Sequence, residues 1–185
     1  METLELKHLA PYLPYGLKGI YNETIITLSL NGYSSVDEIG YDISLFLSCK
    51  IKPILRPLSD LTKEIEVNGE KFVPLQKLCR MVAYNEQYRK EWKYSEKNEY
   101  VPNGTQFGTF EKELIYFSLA TDVVMSREFG YLSSSKRFYL RNPRDNEDIT
   151  YPVNQFLGLQ KLFEWHFDVF GLIDKRLAVD INTLK

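Results

Sequence analysis

Apolar and polar residues alternate from Ile26 to Leu30, with Ile26, Leu28 and Leu30 set against Thr27 and Ser29. A period of two is that of a half-buried strand, so LKGIYNETIITLSLNG, starting at Leu17, reads as two strands. Residues 32–48 show no clear period. CKIKPILRPL reads as extended, because Pro53 and Pro57 fix their own φ and push the residues before them out of the helical region. In KEIEVNGEKFVP, Asn68-Gly69 is a favoured pair for a two-residue type I′ turn, which needs positive φ at both central positions. Closing that turn sets Val67 opposite Glu70, Glu66 opposite Lys71 and Ile65 opposite Phe72, a register that is chemically sensible across strands. Pro74 then suits a first helical position. Leu75, Leu78, Cys79 and Val82 follow at helical spacing, predicting an amphipathic helix at about 74–92.

Breakers return between Asn98 and Gly108, and strands are predicted within KELIYFSLATDVVMS, KRFYLRN and EDITYPV, with NPRDNED as an exposed turn. From Asn154, a residue able to cap, apolar positions fall at Phe156, Leu159, Phe163, Phe167, Phe170, Ile173 and Leu177. This predicts a long C-terminal helix at about 154–177, with Gly171 costing about 1 kcal/mol as an interior residue and marking a place to end or bend. Hairpins combined with two separated helices, and no repeated βαβ unit, indicate an α+β fold with a mostly antiparallel sheet. We expect residues 1–185 to form a single domain.

Composition narrows the functional classes. Apolar residues make up 44 % and charged residues 26 % of the 185, enough for a real core. A net charge of −2 supplies no global field for a polyanion but leaves room for a local basic patch. Cys49 and Cys79 lie outside any CxxC and fit a reducing compartment. METLELKHLAPYLP has acidic residues where a signal peptide carries basic ones, and no segment approaches a membrane span; the expectation is a soluble cytoplasmic protein.

Candidate chemistry is sparse. Glu164, His166 and Asp168 sit at alternate positions in KLFEWHFDVFGL. On a strand they would share one face, as a metal or acid–base set requires. On the predicted helix they separate. Glu164 and Asp168 then join Lys161 on the polar side, while His166 falls among Phe163 and Phe170 as a core histidine. His8 is the only other histidine, and HExxH, GxSxG, Walker A and GxGxxG patterns are absent. Asp145, Glu147 and Asp148 offer carboxylates for Mg²⁺, though a turn with solvated charges accounts for them better. No cofactor is implied. In SSSKRFYLRNPR, strand geometry puts Arg137, Tyr139 and Arg141 on one face, arginine for phosphate and tyrosine for base stacking. YRKEWKYSEK mixes Arg89, Lys90, Lys93 and Lys97 with Tyr88, Trp92 and Tyr94, but Glu91 and Glu96 dilute its charge.

Three blocks, LKHLAPYLPYGLKGIY, KPILRPLSDLTKEIEVNGEKFVPLQKL and QKLFEWHFDVFGLIDKRLAVDINTLK, resemble an uncharacterised family of short proteins encoded by phages, prophages and mobile elements of gut anaerobic bacteria. The family has no assigned activity, so the resemblance carries over no catalytic residue. It implies an accessory protein working in a bacterial cytoplasm. The leading expectation is a non-enzymatic protein that binds a host or phage macromolecule, regulatory or anti-defence in role, with a host or phage protein as partner and no membrane. A nucleic-acid binder using Arg137, Tyr139 and Arg141 is the second expectation. A small carboxylate-dependent enzyme on a phosphorylated or nucleotide substrate is the third.

Overall fold

The structure, a computed structural model, describes residues 3–28, 36–48, 50–82, 114–119, 127–141 and 153–184. The fold is mixed α+β, with several antiparallel pairings, a middle helix and a C-terminal helix. Contacts divide the chain into two compact units, Met1–Leu58 with Gln160–Lys185, and Ser59–Leu159.

The first unit joins the two ends of the chain. Helix α1 (Leu6–Leu9) is a single turn, followed by a 3₁₀ turn at Leu13–Tyr15. Strands β1 (Leu17–Tyr21) and β2 (Thr24–Leu28) form the expected hairpin, with Tyr21 opposite Thr24. Its turn residues Asn22 and Glu23 both take positive φ, so the connection has the twist that suits a tight hairpin. Helix α2 (Val36–Leu47) occupies the stretch whose period was unclear. Strand β3 (Lys52–Leu55) is the extended proline-flanked segment, and β9 (Val179–Asp180) pairs with it in parallel. The sheet order is β2-β1-β3-β9. Leu17, Leu28 and Leu55 enter one core with Leu9, Tyr12, Phe46, Ile51 and Leu172. Gly19 of β1 is required by that packing: a Cβ there would stand 2.6 Å from both Ile51 Cγ2 and the Phe46 ring.

The second unit contains the hairpin of β4 (Ile65–Val67) and β5 (Glu70–Phe72). Its register is the one read from the sequence, Ile65 to Phe72, Glu66 to Lys71 and Val67 to Glu70, with Asn68 at φ 52° and Gly69 at φ 81°. Helix α3 (Pro74–Val82) begins on its proline and buries Leu75, Leu78, Cys79 and Val82; the rest of the expected helix to 92 lies outside the described residues. Three antiparallel strands, β6 (Leu114–Leu119), β7 (Arg127–Leu132) and β8 (Arg137–Arg141), make the other sheet of this unit. Phe129, Tyr131 and Phe138 stack on its buried face. The strand expected at EDITYPV lies outside the described residues apart from Val153.

The C-terminal helix, α4 (Gln155–Glu164), is shorter than the stripe to 177 implied. Asn154 caps it, its Oδ1 accepting from the Leu157 amide at 3.0 Å. The helix stops because the chain beyond Glu164 is taken by other partners: His166 has left-handed φ (58°), and Phe167 forms a parallel bridge with Arg56. The buried stripe is also displaced. Phe156 is 78 % exposed, whereas Leu162 and Trp165 are buried. At its N-terminal end α4 serves the three-stranded sheet. The Gln155 side chain acts as a stand-in peptide for edge strand β8, accepting from Phe138 N–H at 2.7 Å and donating to Phe138 C=O at 2.6 Å.

Gly158 lies against the Phe138 ring, where an added Cβ would approach to 2.5 Å. Helix propensity alone makes Gly→Ala favourable by about 1 kcal/mol. The close approach reverses the sign: Gly158→Ala should destabilise the protein, and urea unfolding at unchanged m-value is the measurement that reads it.

Candidate functional site

The segment Trp165–Ile173 gathers most of the unusual chemistry. Its backbone is held from two sides. Arg56 N–H donates to the His166 carbonyl at 2.7 Å, and Asp168 N–H donates to the Arg56 carbonyl at 2.8 Å, so Arg56 brackets Phe167. From the other side the buried Tyr12 hydroxyl donates to the Phe167 carbonyl at 2.7 Å and accepts from Val169 N–H at 3.3 Å. One phenol therefore adds a second partner to two buried backbone groups that otherwise bond only each other, at 2.9 Å. Phe163 meets the Tyr12 ring edge-on at 5.1 Å, and Phe170 stacks on Phe163 at 5.9 Å.

Glu164, His166 and Asp168 of KLFEWHFDVFGL do not converge. Glu164 pairs with Lys161 at 2.6 Å. Asp168, expected on a polar helix face, is instead buried. Its Oδ1 and Oδ2 accept from the Leu172 and Ile173 amides, each at 2.8 Å, and thereby build the turn after α4. Burial pushes its carboxyl above the ordinary range, against the lowering effect of those amides. Its chemistry is that of a backbone cap.

His166 is the residue with the most costs attached. Its backbone is left-handed, and its ring lies nearly parallel to that of Tyr12 at 6.3 Å. Nε2 is buried with no hydrogen-bond partner, while the ring is tied to the Gly16 backbone. Burial, followed by the positive charges of Lys18 and Arg56, lowers its pKa to about 4. The imidazole is neutral at neutral pH. The sequence reading placed His166 as a core histidine near Phe163 and Phe170; it missed Tyr12, Gly16, Lys18 and Arg56, which only the tertiary fold brings to it.

The basic and aromatic strand is present as β8. Phe138 and Leu140 are buried, Arg137 is exposed, and Tyr139 lies half-buried across Gly130 of β7, which leaves no room for a Cβ. The register sets Arg137 opposite Leu132, Tyr139 opposite Gly130 and Arg141 opposite Glu128. His8 accepts from Glu5 N–H through Nδ1, in the N-terminal turn. Cys49, the Asp145, Glu147 and Asp148 cluster and the 88–97 stretch lie outside the described residues. Among the described residues no group of three or more His, Cys, Asp or Glu is placed to hold a metal ion, and no helix is long and apolar enough to cross a membrane. Comparison with protein-family models, with curated proteins and with solved structures gives no match.

The lowered pKa of His166 makes stability depend on acidity with a definite sign. Below about pH 6.5 the unfolded chain takes up a proton that the folded ring refuses until about pH 4. Stability is thus full above that window and lost through it as pH falls, by roughly 1–3 kcal/mol. Asp168, whose carboxyl is raised, works in the opposite direction. Comparison of wild type with His166→Asn, a residue that tolerates left-handed φ, isolates the histidine. Denaturation midpoints between pH 7 and 4 should fall more steeply in the wild type; parallel curves would refute the assignment.

Proposed function

We propose that this protein is a binding module without catalysis of its own, acting by surface contact with a host or phage macromolecule in a bacterial cytoplasm. The observation that supports this most directly is the β1–β2 hairpin. Strand β2 is the edge of its sheet, carries the uncharged sequence TIITL, and exposes Ile25 (55 %). Edge strands that stay monomeric are usually blunted by charge, proline or a bulge. An unblunted β-branched edge offers an unpaired row of amides and carbonyls to an extended segment of a partner, with alternate side chains supplying specificity.

A second reading, nucleic-acid contact through β8, is supported by the exposed Arg137. The placement of Tyr139 weighs against it, since the ring is spread over Gly130 and its hydroxyl is buried rather than presented to a base.

One experiment separates the readings. Tagged wild type and Ile25→Lys are used to capture partners from host lysate, with and without nuclease. The substitution lies on an exposed side chain, so the fold is retained. Binding of a stoichiometric protein that survives nuclease and drops at least about tenfold, or about 1.4 kcal/mol, in Ile25→Lys is the expected result. Capture that vanishes with nuclease and falls steeply with salt would transfer the function to β8.

A further inference from the structure

The register of the β1–β2 hairpin fixes which backbone groups β2 turns to its outer edge. Tyr21 and Thr24 flank the two-residue turn, so they form the bonded kind of antiparallel pair, and the ladder alternates from there. Thr24, Ile26 and Leu28 therefore turn their N–H and C=O groups inward, to Tyr21, Gly19 and Leu17. Ile25 and Thr27 turn theirs outward. Among the described residues no strand takes them, since β2 ends the order β2-β1-β3-β9. Thr24, Ile25 and Thr27 are all exposed, and none carries a charge.

We infer that in the free protein this edge pairs with the β2 strand of a second copy, antiparallel about a two-fold axis at Ile26. The inference rests on the reading of β2 as an open docking edge and names its occupant. A two-fold axis normal to the sheet must leave opposite side chains on one face, which allows only centres that coincide with a residue. Centred on Ile26, it sets Ile25 opposite the second copy's Thr27 and Thr27 opposite the second copy's Ile25. All outward groups of both strands are then used. Centred on Ile25 or on Thr27, only one such pair falls inside β2, and the next runs into the Asn22–Glu23 turn or past Leu28. The exposed face matches itself in the same register. Lys18 lies beside Thr27, and Ile20 beside Ile25. Across the axis a row reads Lys18, Thr27, then Ile25 and Ile20 of the second copy, which sets each exposed isoleucine against a threonine methyl. The two lysines end on opposite outer strands, three strand spacings or about 14 Å apart, beyond a Debye length of about 10 Å. A second copy thus meets this edge with no like charge and no unpaired outward group. The contact is small, so the pairing is weak and reversible, and a partner strand can displace it.

The purified full-length protein is followed over a concentration series by sedimentation equilibrium and by amide hydrogen exchange. The Ile25 and Thr27 amides should exchange fast in dilute protein and slow at least about tenfold as the mass shifts from monomer to dimer. Thr27→Pro deletes an outward N–H and no β1–β2 bond. Ile25→Lys brings a new cation toward Lys18 of the second copy. Each should weaken the dimer at least tenfold, whereas Leu6→Gln, at an exposed apolar residue outside β2, leaves it unchanged. Ile25→Lys alters only an exposed side chain and keeps the test readable if Thr27→Pro disturbs the hairpin. A monomer at every concentration overturns the self-pairing. So does a dimer that both variants leave intact. Capture from lysate reads the two ideas apart: a monomer that still loses a captured protein in Ile25→Lys overturns self-pairing and keeps the docking edge. A dimer lost in both variants, with no protein captured, supports self-pairing and removes the foreign partner.

Discussion

The first unit depends on one buried hydroxyl. Tyr12 comes from the N-terminal part of the chain and reaches a carbonyl and an amide of the Phe167–Val169 segment near the other end. Without it, the buried Phe167 carbonyl and Val169 amide would keep only their own short-range bond to each other, at 2.9 Å. With it, the chain can leave α4 at Glu164, cross beside Arg56, and continue into the turn capped by Asp168. Leu172 and Ala178 then enter the same core as Leu9, Tyr12 and Leu17. The short parallel pairing of β3 and β9 follows from where that path leads.

The same path decides the chemistry of the ionisable residues. Alternation at Glu164, His166 and Asp168 suggests a constellation only if the backbone is a strand. The observed backbone is neither a strand nor a continuous helix. Glu164 ends a helix, His166 turns left-handed, and Asp168 folds back onto its own following amides. Glu164 pairs with Lys161 and Asp168 with the Leu172 and Ile173 amides, so neither carboxylate joins the His166 ring.

Local features were legible in the sequence because their causes are local. Asn68-Gly69 dictates positive φ at adjacent residues, and strand register follows from turn length alone, so the hairpin pairs as read. Pro74 and the spacing of Leu75, Leu78, Cys79 and Val82 define α3 for the same reason, and Asn154 caps α4 as expected. The end of α4 was hidden, because apolar spacing through Phe170 and Leu177 continues a helical rhythm after the helix has stopped. What stops it is the competition of Arg56 and Tyr12, more than a hundred residues away in sequence, for backbone groups at 166–169. Phe156 fits the apolar rhythm and is nonetheless exposed, since period fixes which residues share a face but not which face meets the core. Helix α2 was unreadable by period, and the surroundings of His166 have no sequence signature at all, Tyr12, Gly16 and Arg56 coming from distant parts of the chain.

Native-state hydrogen exchange tests the closure by Tyr12 most directly. If the hydroxyl fastens residues 167–169 into the first unit, the Asp168, Val169 and Leu172 amides of the wild type exchange only with global opening of that unit, as slowly as the amides of the β1–β2 pairing. In Tyr12→Phe the same three amides should exchange faster than the β1–β2 amides, through a local opening. Fast, local exchange of the three amides already in the wild type, or no change in Tyr12→Phe, would contradict the account.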